Sequence, residues 1–281
     1  MNGIINVNKL QGVSSAREVA IIKRITGCSC GHMGTLDPMA SGVLPIAVGN
    51  ATRLFDYLLT KTKTYKATFR FGEDYDTLDT TGTLLKSGER VPTAEEIENI
   101  LPALTGEIMQ LPPKYSAKNV GGRRSYQLAR EGVEFELAPK KVRIESITLL
   151  NNQGNEYSFE IVCGGGTYVR SIGRDMASAL GTCAAMSSLV RTVSGPFNID
   201  NSVMTAELNP DNVERFLIPC DSIINYPVIN LTEIQAKRLF NGIAVKCDFP
   251  DGLYKIYAPN GSFYGISQVV DGNMKVRTKL C

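Results

Sequence analysis

Histidine is nearly missing from this chain: His32 is the single one in 281 residues. That excludes a multi-histidine metal centre and any proton relay built from two imidazoles. The seven cysteines are scattered and odd in number. Only Cys28 and Cys30 lie close together, and no second close pair exists to complete a zinc site. Reduced, mostly buried thiols are therefore expected at Cys28, Cys30, Cys163, Cys183, Cys220, Cys247 and Cys281, and no metal is expected. Long apolar runs are absent too, and Met1 to Leu10 has neither a basic start nor a small-residue cleavage site. The expected location is the cytoplasm, with no membrane partner. Charge of either sign is not in excess: 30 Lys and Arg against 28 Asp and Glu leave +2. Such a balance permits a nucleic-acid partner without demanding one, so any electrostatic footprint must come from local clusters. Cofactor motifs are lacking as well. Gly164-Gly165-Gly166 precedes a helix, but no Gly-Lys-Ser/Thr follows and the spacing is not that of a dinucleotide fingerprint.

What is present is a globular composition, 43% hydrophobic and 21% charged, long enough for one large domain plus a small one. Ile4 to Lys9 reads as a strand. Ser15-Ala16-Arg17-Glu18 fits a capping box opening a helix that turns Val19, Ile22 and Ile25 inward and stops at Gly27. Lys63 to Gly72 alternates cleanly, with Tyr65, Ala67, Phe69 and Phe71 on one face and Lys66, Thr68 and Arg70 on the other. Asp74 to Gly82 reads as a polar turn region. Thr93-Ala94-Glu95-Glu96 is a second capping box, ahead of Ile97, Ile100, Leu101 and Leu104. Strands follow at Lys141 to Leu150 and Glu156 to Cys163, joined at Gly154, and a helix runs from Arg170 to Leu180. This interspersion predicts an α+β fold with a mixed, largely antiparallel sheet. From about Cys220 the texture changes. A helix opened by the Thr232–Gln235 box is followed by short runs between Asn241-Gly242, Asp251-Gly252, Asn260-Gly261 and Asp271-Gly272, all hairpin-turn signals. The expected division is residues 1–219 and a small β-rich domain at 220–281.

The chemistry is expected on the stretch from Gly31 to Leu54. Gly31 and Gly34 allow backbone conformations closed to other residues, and Pro38 fixes its own φ and pushes Asp37 toward extended geometry. The apolar run Val43 to Val48, bounded by Gly42 and Gly49, reads as a strand buried on both faces. One carboxylate is thus held on a stiff loop leading into the core. On backbone chemistry alone, Asp37 would simply cap a tight turn.

This stretch resembles the signature GHxGTLDPxAxGxLPxxxGxAT of the bacterial tRNA pseudouridine synthase B (TruB) family, with Met33 where that family usually has Thr. Three further segments resemble the family. Lys63-Thr64-Tyr65 matches its Lys-x-Tyr, implying that Tyr65 stacks on the target base. Gly165-Gly166-Thr167-Tyr168-Val169-Arg170 matches its GGTYxR, implying an ion pair from Arg170 to a catalytic Asp37. Leu189-Val190-Arg191-Thr192 with Gly195 and Phe197 matches LxRTxxGxF, implying that Leu189 packs beside the base. An aromatic face is what a flipped-out base needs in place of its lost stacking, and a guanidinium holds a carboxylate ionised and oriented.

The resemblance extends to Pro112 through Arg130, similar to a mobile, RNA-clamping insertion placed at about 105–130. There Lys114, Arg123, Arg124 and Arg130 are the candidate phosphate contacts, positioning RNA rather than reading its sequence. The C-terminal region resembles a PUA-type RNA-binding module, with Lys275, Arg277 and Lys279 as weak support. The implied activity is isomerisation of uridine 55 in the tRNA T loop, without a cofactor. Asp37 is the implied nucleophile, with His32 filling the space a flipped base leaves. Attack on ribose C1′, attack on uracil C6, and abstraction of a sugar proton all remain open. The expected partner is the tRNA T stem-loop alone, with no obligate protein partner and a monomeric state. Two rival readings use the same residues: a tRNA-binding or folding module without chemistry, and a nucleoside hydrolase. The hydrolase explains neither the basic insertion nor the C-terminal module.

Overall fold

The computed structural model of the protein describes residues 1–59 and 61–280, so Cys281 lies outside the described residues. In chain order the elements begin with β1 (Gly3–Lys9), α1 (Ser15–Thr26), β2 (Cys30–His32), β3 (Ser41–Val48), α2 (Phe55–Leu59) and β4 (Lys63–Phe71). Then come β5 (Glu73–Tyr75), β6 (Leu84–Ser87), α3 (Ala94–Ile100), β7 (Gly106–Gln110), β8 (Asn119–Val120), β9 (Arg123–Arg124) and α4 (Ser125–Arg130). They are followed by β10 (Lys140–Gln153), β11 (Glu156–Cys163), α5 (Val169–Ala179), β12 (Ala184–Ser194) and β13 (Phe197–Asn198). The last group is β14 (Val228–Asn230), α6 (Glu233–Phe240), β15 (Val245–Lys246), β16 (Gly252–Tyr257), β17 (Phe263–Val270) and β18 (Asn273–Lys279).

Nine strands form the main sheet in the order β1-β3-β12-β4-β11-β10-β7, with β2 added on β3 and β13 on β12. Its pairings are antiparallel except β3 with β12, which run parallel through Val190–Ser41 and Arg191–Gly42. The sheet is therefore mixed and largely antiparallel, as the strand pattern implied. β4 sits near its centre, and the alternation read from the sequence is the alternation observed. Tyr65, Ala67, Phe69 and Phe71 face the core, where Phe69 packs 5.7 Å from Phe159 and Phe71 5.4 Å from Tyr157. α5 lies over this face. It approaches closely because Gly173 has no side chain: a Cβ there would fall 2.4 Å from Phe69 Cδ1.

Several boundaries differ from expectation for identifiable reasons. Ser14, not Ser15, caps α1 by accepting from Arg17 N. Ser15 is buried and turned to the loop, donating to Leu36 O (2.8 Å) and accepting from Leu36 N (2.9 Å). The helix does end at left-handed Gly27. Gly31 is an ordinary strand residue of β2; the glycines whose φ demands glycine in this stretch are Gly34 (+138°), Gly42 (+97°) and Gly49 (+66°). The first two residues of the turn region at 74–82 belong to β5, which pairs with β6. The insertion starts later than about 105, because Gly106–Gln110 is a strand of the main sheet paired with β10. What projects is residues 111–139.

The C-terminal sheet has five strands in the order β14-β16-β17-β18-β15. Asp271-Gly272, both at positive φ (49° and 68°), forms the β17–β18 hairpin turn, and Asn260-Gly261 lies in the β16–β17 connection. The other two dipeptides are not hairpins. Asn241-Gly242 closes α6, with Gly242 N donating to Leu239 O, and Asp251-Gly252 leads into β16. The two sheets are joined by polar and apolar contacts together. Asn50 Nδ2 donates to Leu280 O (3.2 Å), Arg53 to Lys279 O (2.7 Å), and Ile4, Met33 and Leu54 share a core with Ile266 and Leu280.

Candidate active site

The loop between β2 and β3 is held by its backbone. Met33 N donates to Pro45 O (2.8 Å), and Gly12 N to Pro38 O (2.7 Å). Ala40 N donates to Asp37 O (3.0 Å), closing a turn with Pro38 at its second position. Two buried cations finish the job by donating to carbonyl oxygens. Lys9 Nζ reaches Leu10 O (3.0 Å), Val13 O (2.6 Å) and Pro38 O (3.4 Å). Burial pushes the pKa of Lys9 down, partly opposed by Glu18 and Asp37. Arg191, only 1% exposed, donates from Nε to Val43 O (2.7 Å) and from its terminal nitrogens to Gly34 O (3.0 Å) and Thr35 O (3.5 Å). Gly42 permits this approach, since a Cβ there would lie 2.2 Å from Arg191 O. Asp37 is thus presented on a backbone with few ways to move.

Its partner comes from the start of α5. Arg170 donates to the Asp37 carboxylate at 2.9 Å, and its side chain is 8% exposed against 37% for Asp37. The same guanidinium donates to Thr77 O (2.8 Å) and Tyr115 O (3.0 Å) and lies 3.5 Å from the buried carboxylate of Asp79. Asp79 is fixed in turn by the hydroxyls of Thr77 and Thr81. Arg170 therefore ties the loop, the β5–β6 turn and the projecting element to one point. A guanidinium with several fixed partners keeps its orientation, which a surface ion pair does not.

Beside this pair opens a cavity of about 270 Å³, lined by residues of the 34–37 loop, Lys63, Tyr65, Ser116, Ala117, Gly166 to Arg170, Leu189 and Arg191. Strand register explains the grouping: Tyr65 pairs with Arg191 and Ala67 with Leu189, so these side chains share one face of β4 and β12. Burial raises the pKa of Tyr65, keeping its phenol neutral. Lys63 is pushed down to about 8, by burial first and by Arg191 second. Among the described residues no cluster of three metal-ligating side chains occurs.

Of the residues singled out from sequence, the structure brings together Asp37, Tyr65, Arg170 and Leu189. His32 stands apart on β2, opposite Ile46 and outside the cavity lining. Its Nδ1 is buried without a hydrogen-bond partner, and burial lowers its pKa. On the projecting element Lys114 is exposed. Arg123 pairs with Glu131 (2.5 Å), Arg124 donates to Ala117 O (2.6 Å), and Arg130 lies 5.6 Å over the Tyr126 ring. That element reaches the cavity through Ser116 and Ala117. Sequence reasoning passed over Lys63, Asp79 and Arg191. Two had a usable signal, standing two residues from Tyr65 and Leu189 on strands where residues two apart share a face.

Comparison with known proteins follows the same outline. Residues 23–169 match the profile described as the TruB family pseudouridylate synthase N-terminal domain, and residues 227–278 that of pseudouridine synthase II TruB, C-terminal. A protein of Clostridium kluyveri named tRNA pseudouridine synthase B is 38% identical over 98% of both chains. Another of that name, from Acaryochloris marina, is 39% identical over 100% of this chain and 99% of its own. Among solved structures, a Cbf5–Nop10–Gar1 complex superposes with a TM-score of 0.71 at 25% identity, covering 95% of this chain and 78% of that one. Among the described residues no helix is long and apolar enough to cross a membrane.

Proposed function

The chain belongs to the TruB family of pseudouridylate synthases, and we propose on that footing that it isomerises uridine to pseudouridine at position 55 in the tRNA T loop. The observation that carries this reading is the Asp37 carboxylate, 2.9 Å from the buried Arg170 guanidinium, at the edge of a cavity walled by Tyr65 and Leu189. A uridine inside a folded loop reaches such a site only by flipping out of its stack, at a cost of a few kcal/mol. Tyr65 supplies the aromatic face and Leu189 the apolar wall. Arg170 holds the Asp37 carboxylate aimed at 2.9 Å, as a nucleophile or base must be. Residues 1–219 then form the catalytic part and 220–281 a PUA-like part that holds RNA. The 111–139 element, with Lys114, Arg123, Arg124 and Arg130, closes on the T stem-loop, and His32 fills the gap in the stack. The protein on this reading works as a monomer in the cytoplasm with its tRNA.

Tritium at uracil C5 of a tRNA transcript tests this. An isomerase releases tritium and leaves a modified base, a hydrolase releases free uracil, and a binding module does neither. Asp37→Asn is expected to lower tritium release by about 10³-fold or more, with tRNA affinity within a few-fold of wild type. A variant that keeps its turnover removes Asp37 from the reaction.

A further inference from the structure

Lys63 is one of two buried lysines among the described residues, 5% exposed. It opens β4 two residues before Tyr65, and the two side chains share a face of the strand and line the same cavity. Successive same-face residues of a strand stand about 7 Å apart, which sets the Lys63 head beside a base stacked on Tyr65. The ammonium donates to Lys61 O at 2.8 Å. The charge of the cavity lining is lopsided: Lys63, Arg170 and Arg191 supply three cations, and Asp37 is the one carboxylate among the lining residues. Arg170 is matched by Asp37 and Asp79, whereas Arg191 is bonded to carbonyl oxygens and to the Tyr65 side chain rather than to a carboxylate. A surplus of positive charge away from water is costly to fold around. It is suited to a site in which negative charge appears during the reaction.

Isomerisation creates such a charge. Heterolysis of the N1–C1′ bond leaves its electron pair on uracil, spread over N1, O2 and O4. Addition of a carboxylate to C6 instead drives the C5=C6 pair toward C5 and O4 before that bond breaks. After rotation C5 bonds to C1′, the C5 hydrogen leaves as a proton to water, and N1 takes a proton from water. No oxidant or reductant is involved, and every route places the transient charge on the pyrimidine. We propose that Lys63 is a further catalytic residue, whose ammonium stabilises the anionic uracil while it is detached from, or being detached from, the ribose. This rests on the isomerase reading above and holds whichever atom Asp37 attacks.

The charged and titratable groups packed around Lys63 allow a clean test. Arg191 faces it from β12 and Cys163 from β11, and Tyr65 and Asp37 line the same cavity. Burial holds Cys163 up at about 11 and Tyr65 above its ordinary value, while Lys63 sits at about 8. The ammonium is present below that value and lost above it. Single-turnover tritium release from C5-tritiated tRNA is measured for wild type, Lys63→Met and Lys63→Arg from pH 7 to 9. Lys63→Met is expected to be about 100-fold slower at pH 7, with tRNA affinity unchanged and the melting temperature no lower than that of wild type. Lys63→Arg recovers at least about tenfold of that loss. The wild-type rate falls as pH rises through about 8, while that of Lys63→Arg stays level. Equal rates for Lys63→Met and wild type overturn the proposal, as do equal rates for the two variants. Should Lys63→Met not fold, the pH profiles decide, and parallel profiles for wild type and Lys63→Arg overturn it. Wild-type protein that releases no tritium would sink the isomerase reading itself.

Discussion

The two sheets of this protein treat polar atoms in opposite ways. In the nine-stranded sheet and its loops, Lys9, Lys63, Asp79, Arg170 and Arg191 are all buried, and all lie around the segment that carries Asp37. In the five-stranded sheet, Ser267 is the one buried polar residue among the described ones; Ile229, Ile256, Val269 and Met274 make up an ordinary apolar core. Its cations stand outside instead. Lys275, Arg277 and Lys279 alternate along β18 with all three exposed. Buried charge lowers stability unless it is well partnered, so its concentration around one loop marks where the molecule has given up stability for chemistry. Exposed charge is cheap to keep and suits contact with a phosphate backbone. On the proposed function, the contrast separates a region built to react from a region built to hold.

Matched glycine substitutions test that separation most severely. Gly42 lies against Arg191 O and Gly265 against Thr278 O, where an added Cβ would come within 2.2 Å and 2.0 Å. Both are at positive φ, so alanine at either site should destabilise by about 3 kcal/mol. Their functional signatures should differ. Gly42→Ala moves Arg191 and the loop, so single-turnover rate falls even at saturating tRNA. Gly265→Ala weakens tRNA binding while that rate stays within about threefold. A Gly265→Ala protein that loses its rate at saturation would erase the distinction.

A smaller effect is expected from replacing Lys275, Arg277 and Lys279 together by glutamine. The tRNA dissociation constant should rise about fivefold at physiological salt, and the slope of log affinity against log salt should shrink by up to about 2. Binding titrations at several salt concentrations read both. The smallest effect belongs to Thr232→Ala, which removes the hydroxyl accepting from Gln235 N at the start of α6. It should cost about 1 kcal/mol by thermal melting and leave tritium release untouched.

Local rules made much of this legible. The β4 alternation, the boxes at Thr93 and Thr232 and the stop at Gly27 depend on neighbouring residues alone, and all stand in the structure. The Asp37–Arg170 pair was available only through the resemblance, because 133 positions separate its members and no periodicity links them. What escaped was decided by tertiary contact. Ser14 and Ser15 are equivalent as caps until Leu36 claims one of them. Asn241-Gly242 is a hairpin signal by composition, but α6 ends there first. Arg191 occupies a strand position that alternation marks as inward, yet an arginine facing inward looks wrong until the carbonyls of Gly34 and Val43 appear beside it.

The parallel pairing of β3 with β12 also governs when activity can begin. Arg191 and Val43 are 148 residues apart, so the loop's anchor does not exist until most of the chain has been made. Contacts of such long separation form late and slowly. A ribosome-bound chain shorter than about 195 residues therefore carries the aspartate but not its support, and on the proposed reading it gains activity only once the twelfth strand slides in.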